Sequence, residues 1–212
     1  MKSTFVLCQA TQEGNAFLNL KRAAAHAKKA TETYHADVLV FPEVYQSHYP
    51  LSTDPSIVQA AAEPLNGPFV SSMQKIAREN KLWMIFGMRE LTGKDSHYNT
   101  IVTLNEQGNI VGTYRKRHLY DAFSYRESAY VTAGREESLP IQTPFGTLGI
   151  FVCYELRYPE VARALTRAGA DILIMPTAWV KGSGKSMQFE VLCRARAIEN
   201  ASYLLACDLC GP

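Results

Sequence analysis

Four short runs in this chain, 38–41, 82–87, 148–152 and 172–175, are apolar at successive positions rather than at every second one. Successive side chains of a strand point to opposite faces, so a strand without alternation must be covered on both sides. These runs therefore require a sheet held between layers, which is an α/β arrangement. The segments between them agree. Phe5, Val6, Leu7 and Cys8 read as a first strand, and Phe17, Leu20, Ala24, Ala27, Ala30 and Tyr34 then recur at helical spacing, predicting a helix that buries that face. Further helices are predicted over 68–80, opened by Pro68, over 159–168, closed by Gly169, and over 187–200. A last strand covers 203–207. Segments 98–104 and 109–114 flank a Gly-containing spacer and read as a hairpin, so antiparallel pairing enters the sheet.

Composition narrows the class. The 212 residues are 47% hydrophobic and 20% charged, a globular balance, and the length fits one domain over 1–212. The net charge of +2 arises from 22 basic and 20 acidic residues scattered without blocks, which gives no footprint for nucleic acid or a membrane surface. No apolar run approaches the roughly 20 residues of a membrane helix, and the start has too short an apolar stretch for a signal peptide. A soluble, cytoplasmic protein is expected. The five cysteines, Cys8, Cys153, Cys193, Cys207 and Cys210, are odd in number and dispersed, which suits reduced thiols better than a disulfide framework.

Three reactive side chains stand just past the carboxyl ends of predicted strands: Glu43, Lys116 and Cys153. That edge is where sites form in open α/β sheets. Cys153 falls where a strand turns toward a helix, so its thiol would project from the sheet edge with the following N–H groups facing a developing oxyanion. Each residue alone has a plainer reading. A lone cysteine at a strand end is most often a small buried hydrophobe, Glu43 could open a helix, and Lys116 could be one more solvated charge. The pair Cys207 and Cys210 lacks the second ligand pair of a zinc site and the helix start of a redox motif, and is read as packing.

Taken together, Phe41-Pro42-Glu43, Lys116-Arg117-His118-Leu119, Glu127-Ser128 and the stretch from Cys153 to Glu160 form an ordered pattern. The chain resembles the nitrilase superfamily of carbon-nitrogen hydrolases in these motifs. Supporting matches are Tyr98-Asn99-Thr100, Pro176-Thr177-Ala178-Trp179 and residues 194–200. The resemblance implies an αββα sandwich, a Glu43-Lys116-Cys153 triad acting through a thioester on a small-molecule amide, carbamoyl group or nitrile, no metal or other cofactor, and a homo-oligomer. Two departures stand out: Glu155 occupies a position where family members commonly have Asp, and members usually continue past the position of Pro212 with further strands. The chain is accordingly expected to be a C-terminally incomplete form of a longer protein.

In the mechanism so implied, Glu43 is the general base, Lys116 and an N–H after Cys153 stabilise the oxyanion, and Glu127 positions the lysine and the substrate. Tyr45, Tyr49, Tyr125, Tyr154 and Trp179 are candidate pocket-lining residues. Arg157 is read as structural, paired with Glu160, Glu199 or Asp171. Arg126 or Lys181 could hold a substrate carboxylate. An amidase, an N-carbamoyl amino-acid hydrolase and a nitrilase are not separated by these motifs, and a non-catalytic protein retaining the fold is the alternative of another class.

Overall fold

The computed structural model describes residues 2–94 and 96–211. The first half builds one sheet. Strand β1 (Phe5–Leu7) leads through helix α1 (Ala16–Tyr34) to β2 (Val38–Val40), and the short α2 (Pro55–Ala60) and α3 (Pro68–Asn80) lead to β3 (Trp83–Lys94), β4 (Ser96–Leu104) and β5 (Ile110–Arg115). These five strands pair in sequence order, β1, β2 and β3 parallel and β3, β4 and β5 antiparallel. The hairpin read from 98–104 and 109–114 is the β4–β5 pair. The predicted long loop after Lys116 carries a small hairpin, β6 (Asp121–Ala122) with β7 (Tyr125–Arg126), and a 3-10 turn, Glu127–Ala129. A second sheet follows from β8 (Ile141–Thr143), β9 (Gly146–Ile150), α4 (Pro159–Arg167), β10 (Ile172–Pro176), α5 (Lys185–Asn200) and β11 (Tyr203–Cys207), in the order β11-β10-β9-β8.

The unbroken apolar runs are explained by the layers. Leu39, Met84, Phe86, Val102 and Leu104 face α1 and α3, meeting Ala23, Ala27, Ala30, Phe69, Val70 and Met73. The alternate positions Val38, Val40, Ile85 and Ile101 face the second sheet and meet Leu148, Ile150, Val152 and Ile174. Phe151, Leu173 and Met175 on that sheet's far side pack on Ala162 and Leu165 of α4 and on Phe189 and Leu192 of α5. Helices, sheet, sheet and helices thus stack as an αββα sandwich. Among the described residues no helix is long and apolar enough to cross a membrane.

The buried face of α1 differs from the periodicity reading. Phe17 and Tyr34 are 62% and 51% exposed, while Asn19, Ala23, Ala27 and Ala30 are buried. Alanines let α1 approach α3 and the sheet closely. Asn19 is tolerated inside because its amide nitrogen donates to the carbonyls of Glu13 at 2.7 Å and Gln46 at 3.1 Å, while its oxygen accepts from the Glu13 N–H at 3.2 Å. A polar residue that anchors two loops is invisible to an apolar pattern, so the reading turned the helix toward its aromatics.

One close approach of two backbones positions Glu43. The chain after β2 turns back under β3, with Gly87 donating to the Pro42 carbonyl at 3.3 Å and accepting from the Gln46 N–H at 3.1 Å. A Cβ on Gly87 would lie 2.3 Å from the Val44 nitrogen and 2.9 Å from the Glu43 Cα. Only hydrogen at this position leaves room for the turn, in which Val44 adopts φ 46°. Gly87→Ala is expected to push the Glu43 turn off the sheet and to destabilise the protein by about 1–3 kcal/mol, the usual range for overpacking a tight core. Urea denaturation measures the loss, and an unchanged midpoint would contradict this account of the turn.

Candidate active site

Glu43, Lys116 and Cys153, far apart in sequence, meet at one edge of the sandwich. Glu43 lies in the turn beyond β2, Lys116 directly follows β5, and Cys153 stands past β9 in the facing sheet. Asn99, in the middle of β4, lies between the two sheet-one residues, and its carbonyl accepts the Lys116 N–H at 2.8 Å. The Lys116 ammonium donates to Glu43 Oε1 at 2.9 Å and to Glu127 Oε2 at 3.0 Å. The Asn99 amide donates to the other side of the same pair, Glu43 Oε1 at 2.7 Å and Glu127 Oε1 at 3.2 Å. Backbone N–H groups complete the shell: Ala178 donates to Glu43 Oε2 at 2.9 Å and Tyr120 to Glu127 Oε2 at 2.6 Å. Lys116, Glu43 and Glu127 are all buried.

These contacts decide the protonation states. Burial alone would raise the Glu43 pKa, but the Lys116 charge and hydrogen bonds from Lys116 and Asn99, with the Cys153 thiol nearby, outweigh it and hold the carboxyl below its ordinary value. Burial works against the Lys116 charge, and the carboxylates of Glu127 and Glu43 reverse that, keeping the ammonium charged well above its usual range. Cys153 goes the other way. Burial first and the Glu43 charge second push its thiol up, against the opposing pull of Lys116 and of the nearby polar groups of Thr177 and Ala178. The resting site is a neutral thiol beside an ionised carboxylate.

Cys153 itself has φ 47°, a left-handed conformation that costs a non-glycine residue about 1 kcal/mol or more. Glu155 holds it there. This carboxylate is fully buried and accepts from the Val152 N–H at 2.8 Å through Oε2. Through Oε1 it accepts from the Tyr114 hydroxyl at 2.7 Å and the Arg117 and His118 N–H groups at 3.0 and 3.2 Å. Glu155 thus clamps the Cys153 turn of one sheet to the Lys116 segment of the other, and the longer side chain noted in the sequence is fully used. Glu155→Gln would place an NH2 group against donors on one side. The expected loss is about 2–4 kcal/mol, because buried donors are left without an acceptor. Chemical denaturation checks it, and a loss below about 0.5 kcal/mol would mean that the clamp carries no weight.

A cavity of about 1040 Å³ opens over Cys153. Of the five aromatic candidates, Tyr49, Tyr125, Tyr154 and Trp179 line it. Tyr45 does not. It is fully buried in the core beside Phe41, with ring centroids 4.4 Å apart, and its hydroxyl donates to the Asn19 carbonyl at 3.1 Å. The turn of α1 that buries Asn19 draws Tyr45 inward, a contact no local pattern signals. Arg157 also departs from expectation. It pairs with none of Glu160, Glu199 or Asp171 but lines the cavity, donating to Gln188 Oε1 at 2.7 Å with its guanidinium 5.1 Å from the Trp179 ring centre. Glu199 pairs with Arg196 instead. Arg126 is exposed on β7 away from the cavity, whereas Lys181 lines it and donates to the Gly211 carbonyl at 2.7 Å. Cys207 and Cys210 place their thiols on the Val40 and Gln9 carbonyls, both at 3.2 Å.

Sequence reasoning missed several residues here. Asn99 appeared only as part of a supporting motif, and nothing marked Arg89 or His97. Both are buried, and an Arg89 Nη1–H reaches His97 Nε2 at 3.0 Å while His97 Nδ1 lies 2.7 Å from Gln59 Oε1. A guanidinium only donates, so Nε2 carries no proton and Nδ1–H donates to Gln59. Burial first and the Arg89 charge second lower the His97 pKa from 6.5 to about 3. The unfolded chain takes up this proton below pH 6.5 and the folded chain holds it off until about 3, so the stability it contributes is present above 6.5 and lost between those values. Denaturation midpoints measured across this window should fall more steeply for the wild type than for His97→Gln. Parallel curves would show that His97 is not held neutral.

With this geometry in view, comparisons place the chain among known proteins. The carbon-nitrogen hydrolase family model matches residues 6–212. The chain belongs to the carbon-nitrogen hydrolase family. It is 34% identical over 215 residues to the deaminated glutathione amidase of Mus musculus, a match covering 97% of this chain and 65% of that protein. It is 33% identical over 193 residues to the deaminated glutathione amidase of Escherichia coli O157:H7, covering 90% and 72%. The crystal structure of the C. elegans NitFhit protein superposes with a TM-score of 0.89 at 26% identity, over 100% of this chain and 53% of that one. Nit3 of Saccharomyces cerevisiae, a member of branch 10 of the nitrilase superfamily, does so at 0.84 and 27%, over 98% and 75%. The chain thus spans about two thirds of the length of the mouse amidase it matches.

Proposed function

We propose that this protein hydrolyses the carbon-nitrogen bond of a small-molecule amide, giving an acid and ammonia, with Cys153 as nucleophile. The observation that carries the reading is a buried thiol at the sheet edge where a buried carboxylate, held ionised by Lys116, Asn99 and the Ala178 N–H, meets it. A thiol is not itself the nucleophile, and this one is held protonated, so its proton must leave as sulfur attacks. Glu43 is placed to take it. The C–S bond forms at the amide carbonyl, and the electron pair moves to oxygen. The Lys116 ammonium, close enough to interact with the sulfur, and the Tyr154 N–H at the start of the 3-10 turn receive that charge, since first-turn N–H groups lack intrahelical acceptors. The C–N bond then breaks as Glu43 returns its proton to the departing nitrogen, leaving a thioester. Water enters, Glu43 removes its proton as the water oxygen bonds to the acyl carbon, and the C–S bond then breaks as Glu43 returns that proton to sulfur, releasing the acid and restoring the thiol.

Glu127 completes the arrangement as a positioning residue, since it holds the ammonium from the side opposite Glu43. The names of the amidase relatives support an amide substrate. A stripe of exposed apolar residues on and after α5, Met187, Val191, Ile198 and Tyr203, supports the expectation of a homo-oligomer.

Ammonia release from a panel of simple amides, ω-amides, carbamoyl amino acids and nitriles tests the reading. Amides are expected to turn over, and Cys153→Ala to retain less than about a hundredth of the activity, because residues acting as one unit fail together. Glu43→Gln is expected to lower kcat by at least about 100-fold and to slow alkylation of Cys153 by iodoacetamide at neutral pH, with circular dichroism unchanged. Turnover by Cys153→Ala comparable to the wild type would refute the assignment.

A further inference from the structure

Arg89 is a buried cation that the hydrolytic cycle does not use. It projects from β3 and is 8% exposed, yet it lines the cavity that holds Cys153. Its backbone N–H donates to Gln46 Oε1 at 3.0 Å and its Nε–H to the Ser47 carbonyl at 3.3 Å, which fixes it to the turn carrying Glu43. One Nη1–H goes to His97, whose tautomer is set by Gln59. All these partners are neutral, and the remaining N–H groups of the guanidinium have no acceptor among the described residues.

A charge removed from water is normally paired, and Arg89 forms no salt bridge among the described residues. The nearest carboxylates, Glu43 and Glu127, are committed elsewhere: their oxygens accept from Lys116, Asn99, Ala178 and Tyr120. Arg89 also has the neutral Tyr49 ring beside it, 5.9 Å from its centre, and Arg157, Lys181 and Lys185 on the cavity wall are less buried. Arg157 stacks over Trp179, Lys185 sits 3.7 Å from the Phe123 ring centre, and Lys181 donates to a carbonyl. Of the two described arginines that line the cavity, both with unfilled donors, Arg89 is the buried one, whereas Arg157 is partly exposed. A planar guanidinium edge of this kind matches a carboxylate in two parallel hydrogen bonds.

We infer that Arg89 is the specificity-determining residue of the site and that the preferred substrate is an amide whose acyl part ends in a carboxylate. This rests on the amide-hydrolase reading. The carboxylate docks on Arg89, held by His97 and Ser47, while the amide carbonyl lies over Cys153, so the binding energy of one end fixes the reacting end. The interaction also rejects neutral amides, because with them the guanidinium stays buried and unpaired.

The test compares kcat/KM for glutaramate with that for pentanamide, a neutral amide of similar length, in the full chain. Wild type is expected to favour glutaramate by about 100-fold, the scale of losing one partner from a buried charged pair, and Arg89→Gln to erase that ratio. Arg89→Lys, which keeps the charge without the fork, is expected to fall between them and serves if the glutamine variant fails to fold by circular dichroism. Binding of glutarate to Cys153→Ala, followed by calorimetry, needs no turnover and separates this inference from the hydrolytic one. Adding Arg89→Gln should weaken that binding about 100-fold. A wild-type preference for pentanamide, equal loss of both substrates in Arg89→Gln, which would make Arg89 a counter-charge for Glu43 and Glu127, or glutarate affinity indifferent to Arg89 would each overturn it.

Discussion

The site is organised around a single ammonium group buried between two carboxylates. An isolated lysine charge at 2% side-chain exposure would cost several kcal/mol, and two carboxylates beside each other would cost as much or more. Together, with Asn99 bridging the carboxylates and backbone N–H groups at their outer oxygens, they tolerate one another. The arrangement is expensive to leave incomplete, so it constrains everything that supplies its parts: the turn after β2, the middle of β4, the residue after β5, the 3-10 turn at Glu127 and the loop after β10. Its chemical result is a base kept ionised at the centre of a dry cluster. Only such a base accepts a proton from a thiol that burial holds neutral.

A second buried carboxylate transmits that order to Cys153. Glu155 accepts hydrogen bonds from both sides of the sandwich, from Tyr114 and the Arg117 and His118 backbone of sheet one and from Val152 of sheet two. The strained backbone of Cys153 is thereby set relative to Lys116 and not only relative to its own strand. Gly87 has the corresponding role for Glu43, where the lack of a Cβ lets the turn lie against β3. Two sheets that otherwise touch through aliphatic side chains, which carry little orientational information, are registered at this edge by polar contacts that do.

Much of this is legible in the chain alone. The doubly apolar runs of β2, β3, β9 and β10 announce covered strands because their composition records both faces at once, and the β4–β5 hairpin and the helix from Pro68 to Asn80 are bounded by their own turn and cap residues. Glu43, Lys116, Cys153 and Glu127 can be named because each sits at a strand end or in a motif whose order along the chain is distinctive. The failures share a cause. Tyr45, Arg157 and the buried face of α1 depend on which neighbour arrives from a distant segment, Asn19 in one case and Trp179 with Gln188 in another.

By itself, then, the sequence determined the elements, the layered class of the fold and which side chains are candidates for the chemistry, since these depend on local periodicity, turn chemistry and the reactivity of particular side chains. The tertiary structure decided which charges pair, which aromatic rings see the cavity, that Glu155 joins the two sheets, and that Arg89 lines the cavity with no salt bridge among the described residues. Those properties are set by distances between segments tens of residues apart and by the removal of water around them. Neither quantity is written in any stretch of chain short enough to be read locally.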